Sequence, residues 1–376
     1  MITKAAKILN TKEDLLQEFI EIDPFSNNQL EGFICRQSTH NYGAMVLFKV
    51  NDEETEQVIY CTPKLEFPFD KGGNPRWPTI IQLETWNKLD GTNILAYHYT
   101  YKNQDYFSFK TRLSPVLKDG RFGGFLTLWK ECFKNNKWIE NVIKINPKYN
   151  LAFEMYGFRN PHVITYQIPL DVALLFGVDK NHKIKPPSQL NTNETDAKLP
   201  YHISCDSKKD IGVIYEELRI DMSLLNSDYE KDGFLVEGAV LYIFTDEHIW
   251  RQFKCKPNEI QKLHWGNSSI PKRELWDTAV NSFEEGDSSI EHVTELLREE
   301  YTDEQIGRSE QKIKKVFLQA KDHVKLVYKV NQCWRESIKQ GFDITKNKGD
   351  TFRFMSKFFE KREMKKVGTI VLRQLN

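Results

Sequence analysis

Lys88 lies in the segment Trp86-Asn87-Lys88-Leu89-Asp90-Gly91-Thr92-Asn93, between the apolar stretches IIQLETW and ILAYHY. A lysine held in such a turn at a pocket mouth is a candidate nucleophile, because a neutral amine attacks phosphorus or carbonyl carbon well. Its ordinary pKa of about 10.4 is the obstacle; burial, a nearby cation or a bound metal lowers it. The stretch FKCK supplies cations: Lys254 and Lys256 are two apart in an apolar strand, and period-2 geometry points both to one face. Gly91 permits a tight turn and close backbone approach to a ligand. Asp90 and Asn93 can bond the turn backbone or a sugar hydroxyl. Glu154 in LAFEMYG and Glu237 in FLVEG are carboxylates inside apolar strands, a costly placement unless each has a partner. The turn also reads more plainly, as a β-hairpin with Asp90-Gly91 in a type I′ turn.

The elements that must position these residues are mostly strands. After an opening helix expected over TKEDLLQEFIEI, strands are expected in LEGFICRQ, YGAMVLFKV and QVIYCT, with a turn at residues 51–54. TIIQLETW and ILAYHYT form a strand pair flanking the lysine turn, and DYFSFKTR is a further strand. Residues 123–144 have helical spacing, from Phe125, Leu128, Trp129, Phe133 and Ile139. LAFEMYG, VITYQIPLDVALLF, DGFLVEGAVLYIF and HIWRQFKCK return to strand. The period then changes. From Ser309 to Gln340, Ile313, Val316, Phe317, Ala320, Val324, Val327, Trp334 and Ile338 mark one face of a long helix. A boundary is expected at residues 265–272, where Gly, Asn, Ser and Pro cluster, dividing a domain 1–268, with its motif-bearing core at 78–262, from an α-helical domain 269–376.

Composition narrows the classes. The chain has 376 residues with 40% hydrophobic content, enough for two domains with real cores. Lys+Arg and Asp+Glu number 53 each, so any nucleic-acid partner must be met by a local patch rather than a bulk field. Six scattered cysteines without a CxxC pair argue against a zinc ribbon and a disulfide framework. The nine histidines show no HxxxH spacing and read as surface or packing residues. ITKAAKILNTKEDLL lacks the apolar core of a signal peptide, and no run reaches the ~18 apolar residues of a membrane span. A cytoplasmic setting is expected.

The series KLDGTN at 88–93, FEMYG at 153–157, PLDV at 169–172, DGFLVEG at 232–238 and FKCK at 253–256 resembles, in order, the motifs of covalent nucleotidyltransferases. That superfamily comprises ATP-dependent RNA and DNA ligases and GTP-dependent capping enzymes. The form KxDGTN, the strand-borne Thr111-Arg112 and the helical tail look most like an ATP-dependent RNA ligase of the phage type. The resemblance implies an α+β fold, with antiparallel sheets surrounding an ATP cleft and an α-helical C-terminal domain after it. It implies that Lys88 attacks the α-phosphate of ATP to form lysyl-AMP. AMP then passes to an RNA 5′-phosphate, and the 3′-hydroxyl of a second end displaces it, a chemistry suited to RNA repair.

By the same resemblance Lys254 and Lys256 contact the α-phosphate, and Glu154 takes the ribose hydroxyls. Glu237 binds the catalytic Mg²⁺ or Mn²⁺ as a hard oxygen ligand. Leu89, Asp90 and Asn93 line the nucleotide, Arg112 engages phosphate and ribose with Lys110 as the alternative, and Glu84 with the backbone of Thr85 to Asn87 reads the adenine edge. Leu170 stands where relatives carry an aromatic that stacks on the base, which leaves Phe153, Tyr156 or Tyr166 as alternatives. TPKLEFPFDKGG, around Lys64 and Phe67, either binds the pyrophosphate end of ATP or packs the strand. DNA ligases and capping enzymes follow the lysine pair with a β-barrel domain, whereas this tail reads as helix. Residues 274–304 hold eleven acidic groups against one arginine; residues 346–376 hold nine basic against three acidic. There Phe352, Phe354, Phe358 and Phe359 either grip RNA with the lysines or form the core of an amphipathic helix. The other class of reading is a non-catalytic RNA-binding protein that kept the fold. A separate kinase and phosphatase that prepare the RNA ends are also open.

Overall fold

The computed structural model describes the chain except residues 37–40, 70–73, 120–123, 161, 163, 165, 207, 228–234, 258–269, 271, 285–288, 299–300, 302, 343–347, 362 and 376. Residues 232–234 of the DGFLVEG motif and most of the expected boundary at 265–272 thus lie outside the described residues. The chain divides into two compact units. One comprises Met1–Lys118, Phe125–Ser268 and Arg298–Tyr301, the other Asp119–Gly124, Ser269–Leu297 and Thr302–Asn376.

The first unit is a mixed structure of three antiparallel sheets with helices. Strands β1 (Leu16–Ile22), β2 (Gln29–Cys35), β3 (Met45–Val50) and β4 (Glu53–Ile59) form a meander in sequence order. A five-stranded sheet runs β10 (Ile184–Lys185), β9 (Asp171–Asp179), β8 (Tyr149–Tyr156), β6 (Thr92–Tyr101), β7 (Gln104–Lys110). A three-stranded sheet runs β12 (Trp250–Cys255), β11 (Gly238–Thr245), β5 (Ile80–Lys88).

Alternation along these strands builds the layers. Helices α2 (Phe125–Asn135) and α3 (Lys137–Ile145) cover one face of the five-stranded sheet, where Ile94, Phe109, Phe153, Met155 and Leu174 pack with Trp129, Trp138 and Ile139. Helix α4 (Ile211–Ser227) covers one face of the three-stranded sheet through Ile214, Tyr215, Leu218 and Met222 against Leu241, Ile243 and Phe253. The opposite faces share one apolar cluster: Trp86, Val240 and Tyr242 from the three-stranded sheet with Leu95, Tyr97, Ala152 and Phe176 from the five-stranded one, joined by Leu30, Met45 and Leu47 of the meander. Burying side chains of this size is the main favourable term in holding the sheets together, at roughly 1.5–3 kcal/mol each.

Three expectations change. The opening helix is Ile2–Ile8, and Leu16–Ile22 is instead strand β1, paired along its length with β2. Its alternation, Phe19 in and Ile20 out, follows period 2, and the edge of the meander supplies its partner. The long helix runs Asp303–Lys339, with Ile313, Val316, Phe317, Ala320 and Val324 buried as expected, but Ile338 is 53% exposed near its end. The third change concerns the lysine turn: β5 and β6 do not pair. β5 pairs with β11, and β6 with β7 and β8. Neither Asp90 nor Gly91 has the positive φ that a type I′ turn demands. Residues 89–91 are therefore the crossing from one sheet to the other.

In the second unit the described elements are all helical: Lys272–Glu284, Ile290–Leu297, Asp303–Lys339, Lys348–Met355 and Met364–Leu375. Val330, Phe354, Met355, Phe359, Val367 and Val371 are buried together. Among the described residues no helix is long and apolar enough to cross a membrane, and all six cysteines are free thiols.

Candidate active site

The crossing fixes what surrounds Lys88. β5 ends on Lys88, which pairs in register with Gly238, while Ala239 pairs with Cys255. Glu237, one residue before β11, and Lys256, one after β12, therefore meet at the same end of the sheet. Lys88 Nζ lies 2.5 Å from Glu237 Oε2, and Lys256 Nζ lies 3.0 Å from Glu237 Oε1. One carboxylate thus bridges two lysines, one on each oxygen. Gly238 is obligatory here, since an added Cβ would stand 2.3 Å from the Cys255 carbonyl oxygen.

Lys254 is on the same face, as the FKCK spacing demands, because Phe253 and Cys255 point instead into the layer under α4. Its ammonium sits 4.3 Å from the centre of the Phe67 ring, a cation–π contact that favours the charged form. The Phe67 segment is held against the edge of β12: the Glu66 amide donates to the Gln252 carbonyl and the Lys254 amide to the Glu66 carbonyl, both at 2.9 Å. Arg251 Nε donates to Glu66 Oε1 at 2.9 Å.

The five-stranded sheet supplies the carboxylates. Asn93 pairs in register with Glu154, and Glu154 with Ala173, so all three share a face. Asn93 Nδ2 is 3.5 Å from Glu154 Oε2. Burial pushes the Glu154 carboxyl up to about 8; the Lys88 charge opposes this rise, and the charges of Glu237 and Asp90 add to it. Asp90 is likewise raised, first by burial and then by Glu237, with His162 and Lys88 acting against. The site thus gathers at least three lysines and three acids at the end of the shared apolar layer. Lys254, Lys256 and Glu237 are each no more than 5% exposed. Taking each ion from water costs several kcal/mol, and a buried pair repays that poorly compared with apolar packing.

The other expected residues have their own contacts within the chain. Glu84 is buried, and its carboxylate accepts from Ser188 Oγ at 2.7 Å and from Trp86 Nε1 at 3.2 Å. The Asn87 amide donates to the Tyr201 carbonyl and the Thr85 carbonyl accepts from the Ile203 amide, both at 2.8 Å; these bonds compete with any contact to an adenine edge. Leu89 is half-buried in the crossing. Arg112 donates through Nε to the Thr62 carbonyl at 3.2 Å and lies 5.4 Å over the Tyr42 ring. Lys110 is wholly buried, donating to the carbonyls of Gly43, Thr111 and Arg112, so its role is to tie these loops together.

Leu170 requires a correction. One residue before β9, it packs with the cluster under α2 and lines a cleft of about 270 Å³ with Cys132, Asn135 and Asn136. Phe153 is fully buried on that same helical side. Tyr156 and Tyr166 remain as ring partners near the crossing, with centroids 5.0 Å apart. His162, read from sequence as a surface or packing residue, stands 3.4 Å from Thr92 Oγ1 and bears on Asp90. No spacing rule could have found it, since its partners come from a strand 70 residues away.

Among the described residues no three His, Cys, Asp or Glu side chains converge to hold a metal. Burial first, and then the Glu237 charge, raises the carboxyls of Glu154 and Asp90; Glu237 beside them is a hard oxygen donor that nevertheless fits Mg²⁺. That ion keeps several waters and leans on one or two carboxylates plus substrate phosphates rather than on an all-protein cage.

No protein-family model matches the chain, and no curated protein sequence does. Among solved structures the chain is similar to an archaeal ATP-dependent RNA ligase in two forms. Form 2 has 13% identity and a TM-score of 0.49 over 81% of this chain and 73% of that one; form 1 has 12% and 0.45 over 84% and 76%. A Naegleria gruberi RNA ligase variant with AMP and Mn is similar at 15% identity and a TM-score of 0.35, over 48% of this chain and 51% of that one. These are loose likenesses in shape; the chemistry rests on the residues described above.

Proposed function

We propose that this chain is an ATP-dependent RNA ligase acting through Lys88. The observation that carries the reading is the convergence of Lys88, Glu154, Glu237 and Lys256, from four separate motifs, with Lys254 on the same face as Lys256. Lys88 Nζ attacks the α-phosphorus of ATP: the N–P bond forms, the bond from the α-phosphorus to the bridging oxygen breaks, and pyrophosphate leaves. The amine must first lose a proton, which passes to solvent at the 17% of its side chain that is exposed. Lys256 draws on the same carboxylate, which weakens the hold of Glu237 on that proton. Lys254 and Lys256 then neutralise charge on the α-phosphate, the largest service a protein offers to phosphoryl transfer. Glu154 receives the ribose hydroxyls. Glu237 would hold a divalent cation, which when bound supplies further neutralisation of phosphate charge.

Every described element after Cys255 is a helix, which favours RNA joining over the DNA ligases and capping enzymes whose lysine pair precedes a β-barrel. In the second unit Arg353, Lys357, Lys361, Lys365 and Lys366 are exposed, and Phe358 is 49% exposed. These are suited to RNA phosphates and to stacking on a base.

The test is incubation with α-labelled ATP and Mg²⁺ followed by denaturing electrophoresis. Label is expected on the wild type and absent from Lys88→Ala; an unlabelled wild type would overturn the reading.

A further inference from the structure

The segment after β8 folds back over the crossing and bonds it on either side of Gly91, at Asp90 and at Thr92. The Asp90 amide donates to Tyr166 Oη at 2.8 Å, and Asp90 Oδ2 accepts from the Ile164 amide at 2.6 Å. Thr92 Oγ1 accepts from Asn160 Nδ2 at 3.0 Å, and the same Nδ2 donates to the Met155 carbonyl at 2.7 Å. Gly91 between them has no room for a side chain: a Cβ there would lie 2.2 Å from the Met155 carbonyl oxygen and 3.0 Å from Tyr156 Cβ. The gripping segment is itself fixed. Its Phe158 amide donates to the Ile168 carbonyl and its Arg159 amide to the Pro169 carbonyl, at 2.9 and 3.0 Å. Gly157, at φ 131°, allows the chain to pass Pro169 and Leu170 at that point.

The geometry points to Tyr166 as a positioning residue for the nucleophile: its hydroxyl anchors the amide two residues after Lys88 and so aims the lysine along the line of attack. The inference rests on the proposed role of Lys88. Its physical basis is that in-line displacement tolerates little misalignment of the attacking atom, and Lys88 is the last residue of its strand. Beyond it, β pairing no longer holds the chain. Tyr166 supplies the first bond past that point, with its ring braced 5.0 Å from Tyr156 at an interplanar angle of 57°. A tyrosine that only stacked on adenine would have no need of its hydroxyl, and this separates the two roles.

The experiment uses the full chain carrying Tyr166→Phe. Single-turnover formation of the labelled Lys88 adduct is measured over a range of ATP, together with sealing of chemically pre-adenylylated RNA, which bypasses the lysine attack. The adduct should form roughly tenfold more slowly at saturating ATP, the rate equivalent of one hydrogen bond. The half-saturating ATP concentration and the sealing of pre-adenylylated RNA should be unchanged, while the melting temperature falls by a few degrees for the bond lost to the buried Asp90 amide. A wild-type rate in Tyr166→Phe overturns the inference alone, as does a loss confined to ATP affinity or an equal loss in both reactions. A wild type that forms no adduct overturns the proposed function and this inference with it.

Discussion

The end of the two facing sheets and the helical unit treat charge and aromatic side chains in opposite ways. Around Lys88 the lysines are inside: Lys254 and Lys256 are 3% and 2% exposed and face a bridging carboxylate or an aromatic ring. In the helical unit the aromatic side chains are inside. Phe354 and Phe359 are buried with Val330 and Val371, Phe352 packs partly against them, and the neighbouring lysines 357, 361, 365 and 366 lie in solvent. Expected from composition alone as one alternation of basic and aromatic residues, that tail resolves into three packing phenylalanines and one exposed ring, Phe358. Solvated lysines cost little and bind through summed charge. Buried ones are expensive and need a partner, here a carboxylate or an aromatic ring.

The contrast can be broken or sharpened in order of effect. Glu237→Ala should remove adduct formation and destabilise the first unit by about 3–5 kcal/mol, since Lys256 would be left buried without its carboxylate; denaturant unfolding followed by tryptophan fluorescence checks this. Phe354→Ala should cost the helical unit about 3–5 kcal/mol while leaving adduct formation intact, visible as a shift in one unfolding transition only.

Glu154→Gln should have an effect that depends on pH. Its folded pKa, about 8, lies above the ordinary 4.5. Between those values the folded state binds more protons than the unfolded, and stability falls as pH rises through the window. Glutamine cannot ionise, so the variant should be the more stable protein above pH 8, by up to a few kcal/mol, with the difference gone below pH 4.5. Melting curves at pH 4, 6 and 9 decide it; a gap that does not widen with pH would show that the carboxyl is not perturbed in this way. The smallest effect belongs to Phe358→Ala. It should lower stability by only about 1 kcal/mol, for the ring contact with Phe354 at 5.2 Å, and weaken single-stranded RNA binding several-fold in a filter or gel-shift measurement, with adduct formation unchanged.

Much of the site was legible because it depends on local rules. The two-residue spacing of Lys254 and Lys256 ensures a shared face in any strand, and a carboxylate inside LAFEMYG or FLVEG needs a partner wherever the strand goes. What Leu170 packs against was not legible, because motif position does not reveal which helix covers a residue just ahead of a strand. The Asp90-Gly91 dipeptide misled in another way. Its local preference is for a hairpin, yet β5 and β6 found better partners in β11 and β8. The helix Ile211–Ser227 has apolar residues at 211, 214, 215, 218 and 222, a helical period, although no motif draws attention to it.

By itself the sequence determined the residue types, the strand and helix periods and the chemistry open to a lysine among cations and buried acids. Tertiary structure alone decided that Lys88 stands at a crossing between two sheets, that Glu237 divides its oxygens between Lys88 and Lys256, and that the segment around Tyr166 grips the turn. The reason is physical. Strand period follows from backbone geometry within a few residues, whereas the choice of strand partner is settled by burial and hydrogen bonding between segments far apart in the chain.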